Sequence, residues 1–398
     1  MEESNGPRPI FRAFRGLRYR ADVDPGAVLA PPYDVLSPAD IAGLQAGDPA
    51  NIAWIDDPGD DYAGAARRLA DWRRAGLLVE DRENSLSIYR FQFTDATGQT
   101  RDIAGLIGAL AVVDDGDGAV LPHEQTTPKA TTDRLDLTRA TGANLSPVWG
   151  LSLASGVAEA LRTPGEVMGS VQRDGVTHTV ERLTDPDRIA ALENLISRHA
   201  VLIADGHHRY SIARTYRDEV RAASGRRDSP AEWTLALVNE LVEDQLSIEA
   251  IHRLYAGITP EELVAGLERW FEVSPAPAPT PDSLAAMVEH GRLILIWPDG
   301  RADWLTPRPG VFSGLRDLDG LYLETALAER QPEVSYQHGL NEMLAAVASG
   351  AYTAGVLIRP TSLAEIRYTA DEGQLMPPKS TFFTPKPLTG WVMRLLSR

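Results

Sequence analysis

Five consecutive apolar residues, Ala200-Val-Leu-Ile-Ala204, run directly into Asp205-Gly206-His207-His208-Arg209, and Tyr210 to Ala223 then follows a helical pattern. An unbroken apolar run of that length reads as a buried strand, so the chain must pass from strand to helix within a few polar residues. Few backbones do this, and Gly206 supplies the permissive conformation and close approach that such a turn requires. The turn leaves the first N–H groups of the helix without intrahelical partners, where the helix dipole favours an anion. Arg209 adds a planar fork suited to phosphate or carboxylate, and His207 and His208 can donate to phosphate oxygens or move protons near neutral pH. Asp205 can cap the helix, hold a histidine tautomer or coordinate magnesium. Two imidazoles and a guanidinium in successive positions are costly to place in a turn for packing alone. His208 and Asp205 are therefore candidate catalytic groups, and Gly206, His207 and Arg209 candidate phosphate or nucleotide ligands. Adjacent side chains on a helix point about 100° apart, so the two histidines converge poorly on one metal. On this reading Arg209→Ala weakens anion binding by roughly 1.5–3 kcal/mol while leaving the melting temperature nearly unchanged.

Composition narrows the remaining classes. The 398 residues contain no Cys, which removes disulfides, thiolate metal sites and a thiol nucleophile. A net charge of −17 repels a phosphate backbone, so nucleic acid is not an expected partner. Arg8, Arg12, Arg15, Arg18 and Arg20 come nearest to a basic patch and are read as a solvated edge or as members of intrachain ion pairs. The longest apolar runs, such as Leu293-Ile-Leu-Ile-Trp297, are strand-length and far short of a membrane span. The first twenty residues lack the apolar core of a secretory leader. A membrane is thus not an expected partner, the cytoplasm is the expected location, and a homo-oligomer remains open.

The elements alternate in type without a repeat, and the expected class is α+β, mixed sheets with flanking helices. Ser37 followed by Pro38 marks a helix start running to about Gln45. Tyr62 to Gly76 is helical with Leu69 and Trp72 on one side. Ser85 to Phe93 alternates at period two as a half-buried strand, turns at Asp95–Gly98 and returns through Gln99–Ile103, with Ala104–Val113 as a second apolar run. Pro164 to Asp174 reads as a loop, Asp187 to His199 as a helix, and Trp233 to Val242 as a buried strand. Ser274 to Pro281 is so rich in proline that it reads as a connector. These elements predict a core domain over 1–259 and a smaller α/β domain over 260–365. Residues 366–398 are read as a segment returning to the core.

Three further segments carry chemistry-bearing residues. His123-Glu124 with Thr126, Lys129 and Arg134 could supply a carboxylate base and phosphate contacts, although a polar loop of turn formers is the plainer reading. Met376 to Pro387 is held extended by its prolines and presents Lys379, Ser380, Thr381 and Lys386 to an anion, or forms an edge strand. Ala30-Pro-Pro-Tyr33-Asp34 is a stiff turn able to carry Tyr33 and Asp34 into a cleft. No Walker loop, Rossmann fingerprint or Gly-x-Ser-x-Gly elbow is present.

Ala30-Pro-Pro-Tyr-Asp-Val35, His123-Glu124 with Asp133-Arg134, Ala204 to Tyr210, Ile251-His252-Arg253 and Met376 to Lys386 resemble, in this order, the DUF1015 family of unknown function. His252 and Arg253 join the pocket candidates on that ground. The Asp205–Arg209 segment alone is similar to the phosphate-binding box of the ParB/sulfiredoxin-like fold, which includes free-serine kinases. That resemblance implies a nucleotide-binding core in which His207, His208 and Arg209 grip phosphate. It further implies that a carboxylate elsewhere activates an acceptor hydroxyl, and Glu124 is the choice for that base. The expected activity is phosphoryl transfer between a nucleotide, ATP or ADP with Mg, and a small hydroxyl metabolite such as serine. The same pocket could hydrolyse phosphoserine, and a non-catalytic nucleotide-binding switch or adaptor is the alternative of another class.

Overall fold

In a computed structural model of the chain, residues 10–95, 98–124 and 131–396 are described, and Arg8, Thr126 and Lys129 lie outside them. The chain forms two compact units. The first comprises residues 1–94, 100–246 and 385–398, the second 95–99 and 247–384. The division falls after Leu246, not at 259, because the strand His252–Ala256 pairs on both sides within the second unit, with Glu333–Gln337 and Ala354–Leu357. The tail is likewise shared: residues 366–384 belong to the second unit and only 385–398 to the first. The architecture is α+β.

The first unit is built on a nine-stranded mixed sheet. At one edge Val120–Pro122 pairs in parallel with Val201–Asp205, which pairs antiparallel with Val148–Ser152. Trp233–Glu240 follows in parallel, and then Thr100–Ala111, Leu86–Thr94, Val176–Leu183 and Glu166–Arg173 continue antiparallel. The hairpin return Gln99–Ile103 and the apolar run Ala104–Val113, expected separately, are joined in one twelve-residue strand, Thr100–Ala111. Val201, Leu202 and Leu235 to Val238 are essentially inaccessible, which is why this part of the sequence reads as continuous apolar runs.

Helix signals were local and the structure follows them. Ser37 accepts from the Asp40 N–H while Asp40 accepts from the Ser37 N–H, a capping box opening Pro38–Gly47. Tyr62–Arg74 buries Leu69, and Gly76 takes φ +69° just beyond its end. Glu166–Arg173 was expected as a loop and is an edge strand. It has one paired neighbour and half-exposed side chains, so it lacks the alternation by which a strand is recognised. The N-terminal arginines are engaged within the unit: Arg12 lies over the Trp233 ring, Arg15 donates to the Asp81 carbonyl, and Arg18 is buried on Asp81, Ser85 and Ser87.

The second unit holds a six-stranded sheet, antiparallel throughout, with Phe271–Ala276 and Glu333–Gln337 at its edges. Phe271–Ala276 contains Pro275, within the stretch expected as a connector. An edge strand tolerates a missing N–H donor, and this one sits at the edge. Its helices include Pro260–Leu267, Asp319–Leu327 and Leu363–Glu372. No helix among the described residues is long and apolar enough to cross a membrane.

Candidate functional site

The strand Val201–Asp205 hands over to the helix His207–Ser224 through Gly206, at φ +84°. Gly206 has no side chain with which to cap the helix. A Cβ there would stand 2.9 Å from Arg209 Nε, so glycine is required both by the backbone angle and by the guanidinium lying against it. Arg209 is held in that position by two acceptors. One terminal nitrogen donates to the Pro147 carbonyl and the other to Asp205 Oδ2 at 2.5 Å. Its Nε is buried without a hydrogen-bond partner.

Asp205 Oδ1 meets the Lys386 ammonium, so one carboxylate sits between two cations. Burial by itself would raise the Asp205 pKa, but Lys386 and Arg209 overrule it and hold the carboxyl far below the ordinary range. Each carboxylate oxygen thus meets one cation. Asp205 positions Arg209 and Lys386. Arg209, with a side chain 11% exposed and two of its three nitrogens engaged, is part of the frame of the turn.

The parallel pairing of Val120–Pro122 with the motif strand brings His123 and Glu124 alongside Asp205 and His207. His123 Nδ1 faces the Ile203 carbonyl and donates to it, which leaves Nε2 as an acceptor, 3.9 Å from Glu124 Oε2. The His123 backbone N–H donates to His207 Nε2 at 3.4 Å, and the two rings lie 4.6 Å apart. Burial lowers His123 to about 4 and, helped by His123 itself, His207 to about 3. Both are neutral imidazoles at pH 7. They can orient and accept, while positive charge at the turn comes from Lys386 and Arg209. His208 stands half-buried at the second helical position.

Next to the turn opens a cleft of about 480 Å³, counting its mouth, lined by Tyr33, Asp56, Arg134, Asn144, Ser146 and Arg209, among others. Arg134 lies 3.3 Å above the Tyr33 ring and donates to the Asp56 carbonyl and, at 3.3 Å, to its carboxylate. Burial raises the Asp56 carboxyl despite Arg134, and burial likewise raises the Tyr33 phenol. Asp34 adds to the acidic field felt by Arg209. Arg209 thus lines the cleft on one side and grips Asp205 on the other, while His123, Glu124 and Lys386 stand outside the cleft lining. Asp56 was missed in the sequence. It ends a one-turn helix, Ala53–Asp56, and carries no motif; only its place after the apolar Ala53-Trp54-Ile55 hinted at burial.

A family model described as a protein of unknown function, DUF1015, matches residues 11–321. The chain belongs to the DUF1015 family. Among solved structures, this DUF1015 member is similar to a free serine kinase in complex with AMP, at 14% identity and a TM-score of 0.38, covering 70% of this chain and 89% of that one. SbnI with a C-terminal truncation from Staphylococcus aureus follows at 13% identity and TM-score 0.38, with 72% and 86% covered. A conserved hypothetical protein from Pyrococcus furiosus gives 14% and 0.37, with 68% and 91% covered. No curated protein matches the sequence.

Not every expected residue joins this cluster. Tyr33, Asp34, His123, Glu124, Arg134, Asp205, Gly206, His207, His208, Arg209 and Lys386 lie in the first unit; His252, Arg253, Lys379, Ser380 and Thr381 belong to the second. The signal that could have separated them is the Phe382–Phe383 strand. It pairs with Ile248–Glu249 and ties the Lys379 segment to the Arg253 segment.

Proposed function

We propose that the turn at 205–209 binds the phosphate of a nucleotide and that the first unit transfers a phosphoryl group to a small hydroxyl metabolite. The observation that carries this reading is the uncapped N-terminus of an eighteen-residue helix behind Gly206, with Lys386 and Arg209 held beside it by a shared carboxylate. Such a terminus offers N–H donors and a favourable dipole to an anion, and the adjacent cations add net positive charge. Phosphoryl transfer depends on positioning and charge neutralisation more than on covalent chemistry. Glu124, next to a neutral His123, is the group that accepts the hydroxyl proton. Lys386 and the helix N–H groups neutralise charge on the transferred phosphoryl, while Arg209 keeps the turn rigid. Serine is the acceptor implied by the Asp-Gly-His-His-Arg resemblance.

The test is direct. ATP, ADP, CTP, serine and phosphoserine are titrated into the full chain by calorimetry, and phosphoserine formation from labelled ATP is followed. The reading expects nucleotide binding and turnover, and Glu124→Gln is expected to lower turnover by roughly 10²–10⁴-fold while nucleotide affinity is kept. Nucleotide binding without turnover in the wild type would favour the switch. Unchanged turnover in Glu124→Gln removes that residue from the mechanism.

A further inference from the structure

The second unit contains a buried cation that forms no ion pair among the described residues. Arg253 sits on the inner strand His252–Ala256, next to the edge strand Glu333–Gln337, and is 2% exposed. One terminal nitrogen donates to the Ile251 carbonyl and, at 3.4 Å, to the Lys379 carbonyl. The guanidinium lies over the Tyr336 ring at 4.8 Å. Carbonyl dipoles and a ring face soften a charge but do not cancel it. Arg253 enters none of the ion pairs among the described residues; Glu324 borders a cavity with it but is not within ion-pair distance, and two other acids nearby are taken. Asp319 is gripped by Arg359 through two nitrogens at 2.6 and 3.1 Å, and Asp317 meets the same guanidinium at 3.0 Å. Burying a guanidinium without a counter-charge is expensive, and folded chains avoid it unless something else supplies the charge.

Arg253 borders two cavities, and one of them opens at Gly320. Its second terminal nitrogen lies so close to Gly320 that a Cβ there would stand 2.6 Å away. Gly320 is the second residue of the helix Asp319–Leu327, whose preceding residue, Leu318, offers no capping side chain. The first intrahelical bond is made by the Tyr322 N–H to the Leu318 carbonyl, so the N–H groups before it look outward. Arg253, Gly320, Arg359, Ser362 and Ser380, with Asp317 and Asp319 held by Arg359, line a cavity of about 580 Å³, counting its open mouth, at that end of the helix. Ser362 accepts from the Glu365 N–H, which leaves its own hydroxyl proton available to a ligand.

We propose that this cavity is an oxyanion-binding site in which Arg253 and the N-terminus of the helix Asp319–Leu327 hold the phosphate or carboxylate of a small metabolite. A guanidinium presents two parallel N–H groups to either kind of group, and a helix start adds backbone donors to the same oxygens. The site stands within the second unit and does not depend on the reading of the 205–209 turn.

Hydrogen exchange of the full chain, read by mass spectrometry, tests the site because it reports where protection occurs. Inorganic phosphate and acetate are the two probes, run separately at millimolar concentration. Protection of peptides spanning 318–323 by phosphate alone assigns a phosphorylated ligand, and protection by acetate alone assigns a carboxylate ligand. Arg253→Gln is expected to weaken the effective probe at least tenfold. Gly320→Ala is the second variant: alanine favours a helix, so the fold is kept, but its methyl displaces the guanidinium, and the protection should be lost to the same extent. No protection at 318–323 in the wild type with either probe overturns the site. So does protection that survives in a folded Arg253→Gln or Gly320→Ala variant.

Discussion

Arg209 and Arg253 each follow a histidine and each is withdrawn from water, yet they keep opposite electrical company. Arg209 shares Asp205 with Lys386, whereas Arg253 has two carbonyls and a ring. In the first unit the protein supplies its own counter-ion, and the charges form a rigid frame around a helix start. In the second, the guanidinium forms no ion pair among the described residues. A shared His-Arg dipeptide therefore says nothing about role until the acid that answers it is located. Sequence cannot locate it, since Asp205 is four residues from Arg209 but 181 from Lys386.

The contrast is broken most severely at Asp205. Asp205→Asn leaves Lys386 and Arg209 buried together with no carboxylate, which is expected to cost about 3–5 kcal/mol of unfolding free energy. A urea titration measures it. The pH dependence has a definite sign. Because the folded carboxyl titrates below its unfolded value, its contribution is present above the ordinary carboxylate range and disappears only as pH falls well beneath it. A change in urea midpoint near zero would show that the two cations reach water and that the frame is not a buried one.

The imidazoles sharpen the same comparison with a smaller effect in a different pH window. His123 is neutral in the folded chain down to about 4, against an ordinary value of 6.5. The unfolded chain takes up the proton first, so stability is intact above about 6.5 and falls as pH drops towards 4. The expected loss is about 3 kcal/mol for this residue. His123→Gln should flatten the stability profile between those limits. An unaltered slope would mean that His123 is charged and hydrated in the folded state.

How far the sequence exposed this arrangement depends on the range of the interaction concerned. The apolar run before Asp205, the Ser37 cap and the Gly206 turn are written in consecutive residues, and the structure keeps all three. His123 and Glu124 were placed near the turn by resemblance, and the parallel pairing of Val120–Pro122 supplies the physical reason. What escaped was set by distant partners. Glu166–Arg173 is a strand only because Val176–Leu183 pairs with it, and Pro275, opposite Asp303, sits in one only because that strand has a neighbour on one side alone. Lys379 looked like a companion of Lys386, seven residues on, but the boundary between the units passes between them.

The smallest expected effect is the most discriminating. In buffer free of phosphate and carboxylate, Arg209→Gln removes charge-assisted bonds and should cost roughly 1.5–3 kcal/mol, against the sequence-based expectation of an unchanged melting temperature. Arg253→Gln removes a charge that burial already penalises, so its cost should stay below about 1 kcal/mol despite the lost contacts with Ile251 and Lys379. Thermal and urea unfolding of the two variants side by side measure the difference. Equal losses would make Arg253 a structural bolt like Arg209, its charge adequately answered by dipoles and Tyr336. A near-silent Arg253→Gln, paired with a costly Arg209→Gln, would mean that the second guanidinium is retained for a purpose other than holding the fold.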